Sequence, residues 1–367
     1  MARTYHVALA TVGLFTTALF LVHSLLQVPV GRAVDARGAR RIGLVALAIL
    51  AGANAIALLA PEPALVVPAR ALVGVGTALG FLSGIDYVRA QGGSAFAQGL
   101  YGGVALGAGG LALALVPQLL PPLGWRAPFL SAIAIALAAG AVLAASPRDA
   151  ARGENGRART AGGATAEILS LVTDRRLHRL CVLYGASFGL SVVLGNWVVT
   201  LLERAADYST GVAGAIGALV LLSGVVSRPL AGYLARLEPA RVRQVLAAGL
   251  AASAAGTLLL AAAGPPAVSV VGALLVGLAA GVPFAVAFGA AARTRPDAPA
   301  AAIALVNMSG NVVILTCTPL LGLAFSLPGE GRIGFAAAAV LTAATILAVR
   351  RLPELGSPES ARAGEEA

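Results

Sequence analysis

Two arginines and a histidine sit inside apolar runs, where a charge has little water to solvate it. Arg70 lies in Arg70-Ala71-Leu72-Val73-Gly74-Val75-Gly76, Arg228 in Ser227-Arg228-Pro229-Leu230-Ala231-Gly232, and His23 in Leu21-Val22-His23-Ser24. A guanidinium at mid-span costs about 2.5–3.5 kcal/mol even on the gentler insertion scales, so it faces water, a partner or a ligand. Arg70, near one end of its run, also has the option of snorkelling to the interface. Arg228 can equally be structural, and Gln27, four residues before Gly31, occupies the place that Arg228 occupies four residues before Gly232. His23 either relays a proton or bonds a neighbouring helix. Asn196, Asn307, Ser309 and Asn311 place amides and a hydroxyl at span depth, where such groups join helices or contact solute. No Asp or Glu lies in the middle of a run, which leaves the interior charge positive and suited to an anion.

Other chemistries find no residues here. All 26 basic residues are arginine, and a phosphate-binding P-loop requires lysine, so the chain supplies no such ATP site. Cys181 and Cys317 fall in apolar runs and read as small buried side chains, not as a disulfide or a metal site. With no nucleophile elbow or metal cluster in the sequence, an enzyme is not expected, and no cofactor is.

The elements that must position these residues are membrane helices. Of 367 residues, 58% are hydrophobic and 11% charged, and mean hydropathy is +0.88. Runs long enough to span occur at 7–30, 42–60, 64–88, 98–120, 125–146, 178–202, 210–235, 243–263, 266–291, 299–325 and 333–349, eleven in all. Arginines collect in alternate connections, and the others are short and marked by Pro or Gly, so the net charge of +10 reports topology and not nucleic-acid binding. Residues 147–177 form the one long interruption and read as a cytoplasmic linker, with an amphipathic helix over Ala166 to Leu180. It separates a bundle at 1–146 from one at 178–350, and a polar tail at 351–367 reads as disordered.

The polar stretch between the first two runs fills the pattern G-x-x-x-D-x-x-G-x-R-R with Gly31, Asp35, Gly38, Arg40 and Arg41. Two glycines suit a tight turn, and the aspartate suits the positive end of a neighbouring helix. This pattern resembles the loop signature of the major facilitator superfamily of secondary transporters. The chain also repeats internally: Ala71 to Gly76 is echoed at Ala273 to Gly277, Arg126-Ala127-Pro128-Phe129 at Arg332-Ile333-Gly334-Phe335, and Gly31 to Arg41 at Gly232 to Arg243. The offsets lie a little above two hundred residues, as parallel repeats require. In that register 178–202 has no partner, so the usual first of twelve helices is expected to be missing. The second loop departs from the pattern, with Arg236 in the place of Asp35 and Pro239 in the place of Gly38.

The resemblance implies roles. Arg70 matches an arginine element of the fourth helix tied to proton coupling or substrate charge. Asp86 matches an acid that pairs with the loop arginines, with Arg37, Arg40 or Arg41 available. Trp197, otherwise an interfacial anchor like Trp125, falls on a cavity-lining helix. Nitrate carriers of the superfamily place an arginine at the positions of both Gln27 and Arg228, and this chain keeps one. Gly76, Gly80 and Gly84, Gly103 and Gly107, and Gly277 and Gly281 give small faces on which helices approach and slide, and Pro283 and Pro319 favour kinks.

The expectation is an all-α membrane carrier of the major facilitator type, working by alternating access. It would be a monomer in a bacterial cytoplasmic membrane that moves a small anionic solute with protons. Proton-driven multidrug efflux is the competing transport reading, and a transporter-like sensor or inactive truncated carrier the alternative from another class.

Overall fold

The computed structural model describes residues 9–148, 170–234, 237–350 and 352, with some side chains of the first and fifth helices left aside. The run Ala151 to Arg157, Arg236, and the tail beyond Leu352 lie outside the described residues. The described chain is a succession of helices: α1 (Leu9–Leu25), α2 (Gln27–Arg37), α3 (Ala39–Ala57), α4 (Pro63–Ala90), α5 (Ala95–Leu123) and α6 (Ala127–Ala145). After 169 follow α7 (Arg175–Tyr184), α8 (Leu190–Ala206), α9 (Thr210–Leu234), α10 (Pro239–Ala262), α11 (Pro266–Gly281), α12 (Pro283–Thr294), α13 (Pro299–Leu323) and α14 (Arg332–Val349).

Proline sets many of the starts. Pro63, Pro239, Pro266, Pro283 and Pro299 each occupy the first helical position, where a missing N–H costs nothing. Among the described residues nine helices are long and apolar enough to cross a membrane, and α1 with α2 makes a tenth as a pair bent by 53°. The remaining expected span, 98–120, falls within α5. Pro29 explains the bend, because its ring displaces the carbonyl four residues back and supplies no donor to it. Pro283 likewise separates α11 from α12, and the Val282 N–H turns back to the Ala279 carbonyl at 3.2 Å.

Two expectations change. The stretch 31–41 is not a loop: α2 runs helical to Arg37, and the turn is Gly38 alone, at φ 87°. Only glycine adopts that conformation freely. Of the amphipathic helix read over Ala166 to Leu180, residues 166–169 lie outside the described residues; the described part is interrupted at Thr173, and Asp174 caps a new start by accepting the Arg176 N–H at 2.8 Å. From there α7 runs through a π turn at Gly185–Gly189 into α8.

The chain forms two compact units. One comprises Met1–Gly92, Leu111–Ser170 and Asp297–Ala304; the other comprises Gly93–Gly110, Leu171–Pro296 and Leu305–Ala367. The first is packed around Phe15, Ala57, Val66, Ala69 and Phe129. In the second, Val198, Leu201, Leu202, Val276 and Phe335 are at most 1% exposed. The opening turns of α5 and of α13 therefore belong to a different unit from the rest of each helix.

Candidate functional site

In the second unit, α9 carries Arg228 into the interior, where it is 3% exposed. Its guanidinium carbon lies 4.4 Å from the ring centre of Phe284 on α12 and 4.9 Å from that of Phe188 in the π turn. Nη1 donates to the Gly102 carbonyl of α5 at 2.7 Å, and Nε, fully buried, has no partner. Among the described residues no carboxylate answers this charge. Cation–π contacts supply part of the missing solvation, on the order of 2 kcal/mol or more when desolvated. The aromatic wall continues with Tyr184, whose ring stacks on Phe188 at 5.1 Å, and Phe288, 4.6 Å from Phe284. The Tyr184 hydroxyl donates to Asn307 Oδ1 at 3.5 Å, and one turn along α13 the buried Asn311 Nδ2 is unpartnered.

Close backbone approach places these groups. A methyl group on Gly102 would collide with the Phe284 ring, and one on Gly99 would stand 2.8 Å from the Arg228 carbonyl carbon. The π turn adds one residue to the span, a device frequent at functional sites, and swings Phe188 under the guanidinium. On its other side a Cβ at Gly189 would stand 2.9 Å from the Gly310 carbonyl oxygen.

In the first unit His23 and Gln27 form a neutral network. Gln27 is 0% exposed, and its Nε2 donates both to the His23 carbonyl at 3.1 Å and to His23 Nε2 at 2.7 Å. An amide nitrogen only donates, so His23 Nε2 accepts and the ring proton sits on Nδ1. That proton is donated to Thr77 Oγ1 at 2.9 Å, and Thr77 donates to the Gly74 carbonyl at 3.1 Å.

The signature residues act on helix ends. Asp35 accepts the N–H groups of Ala300 and Ala301, one on each carboxylate oxygen at 3.2 Å, at the start of α13. Gly31 allows this docking, since a Cβ there would lie 2.7 Å from Ala301 Cα. Arg40 donates to the Leu143 and Ala144 carbonyls at 3.1 and 2.5 Å, capping the end of α6. Arg37 and Arg41 are exposed. Asp86, 0% exposed, receives Arg89 Nε and Nη2 from its own helix at 3.0 and 2.5 Å. In the second unit Gly232 does for α5 what Gly31 does for α13: a Cβ there would stand 2.5 Å from Phe96 Cα.

With Gly31, Asp35 and Arg40 set against helix ends and a family model of the Major Facilitator Superfamily matching residues 1–243, the family is decided. The chain belongs to the major facilitator superfamily. Its fold is similar to that of the E. coli fucose:proton symporter FucP, solved as a variant, with TM-score 0.71 and 15% identity over 93% of this chain and 90% of that one. It is also similar to the human organic anion transporter MFSD10 (TETRAN), with TM-score 0.72 and 17% identity over 92% and 83%. A structure of FucP in the outward conformation matches at TM-score 0.69 and 14% identity over 92% and 89%. No curated protein matches by sequence.

The remaining candidates of this superfamily member are dispersed. Arg70 is half-buried on α4. Trp197 spends its N–H on the Thr318 carbonyl at 2.9 Å and packs on Gly322 and Phe325, whereas its neighbour Asn196 is exposed. Cys181 donates weakly to the Leu305 carbonyl at 3.7 Å. Phe188, Phe284, Tyr184 and Thr77 join the site without a charge or motif that marks them in the sequence. A signal existed: among 18 aromatic residues, Tyr184 with Phe188 and Phe284 with Phe288 form two pairs at helical i,i+4 spacing.

Proposed function

We propose that this superfamily transporter moves a small anionic solute by alternating access, coupled to protons, in a bacterial cytoplasmic membrane. The observation that carries the anionic reading is Arg228: a buried guanidinium with aromatic rings against it, one backbone bond, a buried Nε without a partner and, among the described residues, no carboxylate. Such a charge is costly in a bilayer interior and is relieved by an anion accepted at Nε. A fold shared with a protein named as an organic anion transporter accords with this, as the fold shared with a proton symporter accords with coupling.

His23 is the group suited to carry the proton. A second proton at Nε2 would turn an acceptor into a donor, and Gln27 would have to present its oxygen instead. Alternating access draws on the docked starts of α5 and α13, which Gly232, Gly31 and Asp35 hold in the present state.

The test is uptake of a panel of radiolabelled inorganic and organic anions into proteoliposomes under an imposed pH gradient. Wild-type protein is expected to accumulate at least one anion, and Arg228→Gln to lose that uptake while retaining the wild-type unfolding temperature to within a few degrees. Export of cationic dyes that survives Arg228→Gln would establish multidrug efflux instead. Anion binding without flux would establish a sensor.

A further inference from the structure

The second unit contains a cavity of about 90 Å³ that the reading of Arg228 does not use. It is lined by Ala95 and Gln98 from α5, Val242 from α10, and Val286, Gly289 and Arg293 from α12. That volume holds several water molecules, which suits one tetrahedral oxyanion and not a larger solute. No carboxylate lines it.

Arg293 is the informative residue. It lies on the last turn of α12, two residues before Arg295, and shares the cavity with Val242 of the first turn of α10, which also carries Arg241 and Arg243. Its side chain is exposed to water along part of its length yet lines the cavity, and Nη1 comes within 3.2 Å of where a Cβ on Gly289 would stand. Among the described residues it has no hydrogen-bond or ion-pair partner. Gln98 lines the same space, and among the described residues its amide is held by a long 3.5 Å bond to the Gly93 carbonyl. A guanidinium fork and an amide over an otherwise apolar pocket match the several acceptor oxygens of a phosphate. Basic pockets between helices at the cytoplasmic face are places where lipid head groups bind.

We infer that this cavity binds a phosphate group, either the phosphodiester of an anionic lipid or a free phosphate from the cytoplasm. The internal repeat gives the site a purpose. In the first unit Asp35 supplies the negative charge where α13 docks on Gly31. In the second repeat Arg236 replaces that aspartate, while the cavity abuts Ala95 at the start of α5, which docks on Gly232. A bound phosphate restores the missing negative charge and steadies the docked α5.

The test needs no transport substrate, so it stands or falls apart from the anion reading at Arg228. The full chain in neutral detergent is heated with sodium phosphate against sodium chloride at equal ionic strength, and with phosphatidylglycerol against phosphatidylcholine. The wild type is expected to gain a saturable few degrees in unfolding temperature. Arg293→Gln, which removes the charge, and Gly289→Leu, which fills the cavity and displaces only the end of the Arg293 side chain, are expected to gain nothing. A gain with phosphatidylglycerol alone identifies a lipid, and a gain with phosphate identifies a free anion. No gain in the wild type, or an equal gain in both variants, overturns the proposal.

Discussion

At the scale of single residues, the interior of this transporter is asymmetric. Gln27 and Arg228 stand at corresponding places in the two repeats, both almost fully buried. The first is neutral and bonded to His23, while the second is charged and held mainly by aromatic faces. The geometry of Arg228 separates guanidinium from ammonium. Arg228→Lys keeps the charge but removes the planar stacking on Phe188 and Phe284 and the fork that reaches Gly102 while leaving Nε free. Anion uptake is expected to fall roughly 10–100-fold, the equivalent of about 1.4–2.8 kcal/mol. Initial rates in proteoliposomes measure this, and an unchanged rate would show that only net charge matters there. Such a role is half legible in sequence. A lone arginine in an apolar run announces a cost, but what meets it comes from the π turn and from α12, nearly sixty residues away, and neither has a signature of its own.

At the scale of elements, the recurring device is a helix start lodged against a glycine. Asp35 adds charge to this at α13, where the partial positive charge of unpaired N–H groups makes an anion worth about 0.3–1 kcal/mol, up to about 2 when partly buried. Asp35→Asn keeps a side-chain oxygen and loses the charge, so it is expected to shift the balance of states two- to thirtyfold away from the docked one. Gly31→Ala places a methyl within 2.7 Å of backbone and should shift it further. Spin labels on α2 and α13 would report both shifts as a changed distance distribution; identical distributions in wild type and Gly31→Ala would remove this role. The glycine pattern and the acid were readable in the sequence, as was the affinity of that acid for a helix end. The form of the motif was not. Residues 31–37 are helical because nothing before Gly38 stops a helix, and polarity alone made them look like a loop. The rows of glycine were readable only in part: Gly277 and Gly281 meet the backbone or side chains of α9 closely, whereas Gly80 has nothing nearer than 3.7 Å.

At the scale of the whole molecule, the placement of arginine fixes what the repeats must do. If front and back halves are parallel copies, Arg40 and Arg243 mark equivalent helix starts and must lie on one side of the membrane, with Glu62 and Asp207 on the other. Both arginines are satisfied in ways that suit an interface: Arg40 on the end of α6, and Arg243 on the Leu352 carbonyl at 3.2 Å. Glu62 directly precedes α4, and Asp207 follows α8 in a left-handed conformation at φ 54°, so each marks a turn between spans. Single cysteines at these four positions, in a background with Cys181 and Cys317 replaced by serine, should divide two and two when labelled with an impermeant maleimide on intact cells. Glu62→Cys and Asp207→Cys are expected to react, and Arg40→Cys and Arg243→Cys to react only after permeabilisation. Labelling of Arg40→Cys and Arg243→Cys from opposite sides would break the parallel repeat. The common origin of the two docking glycines would go with it, and so would the argument that Arg236 leaves a charge for a phosphate to supply.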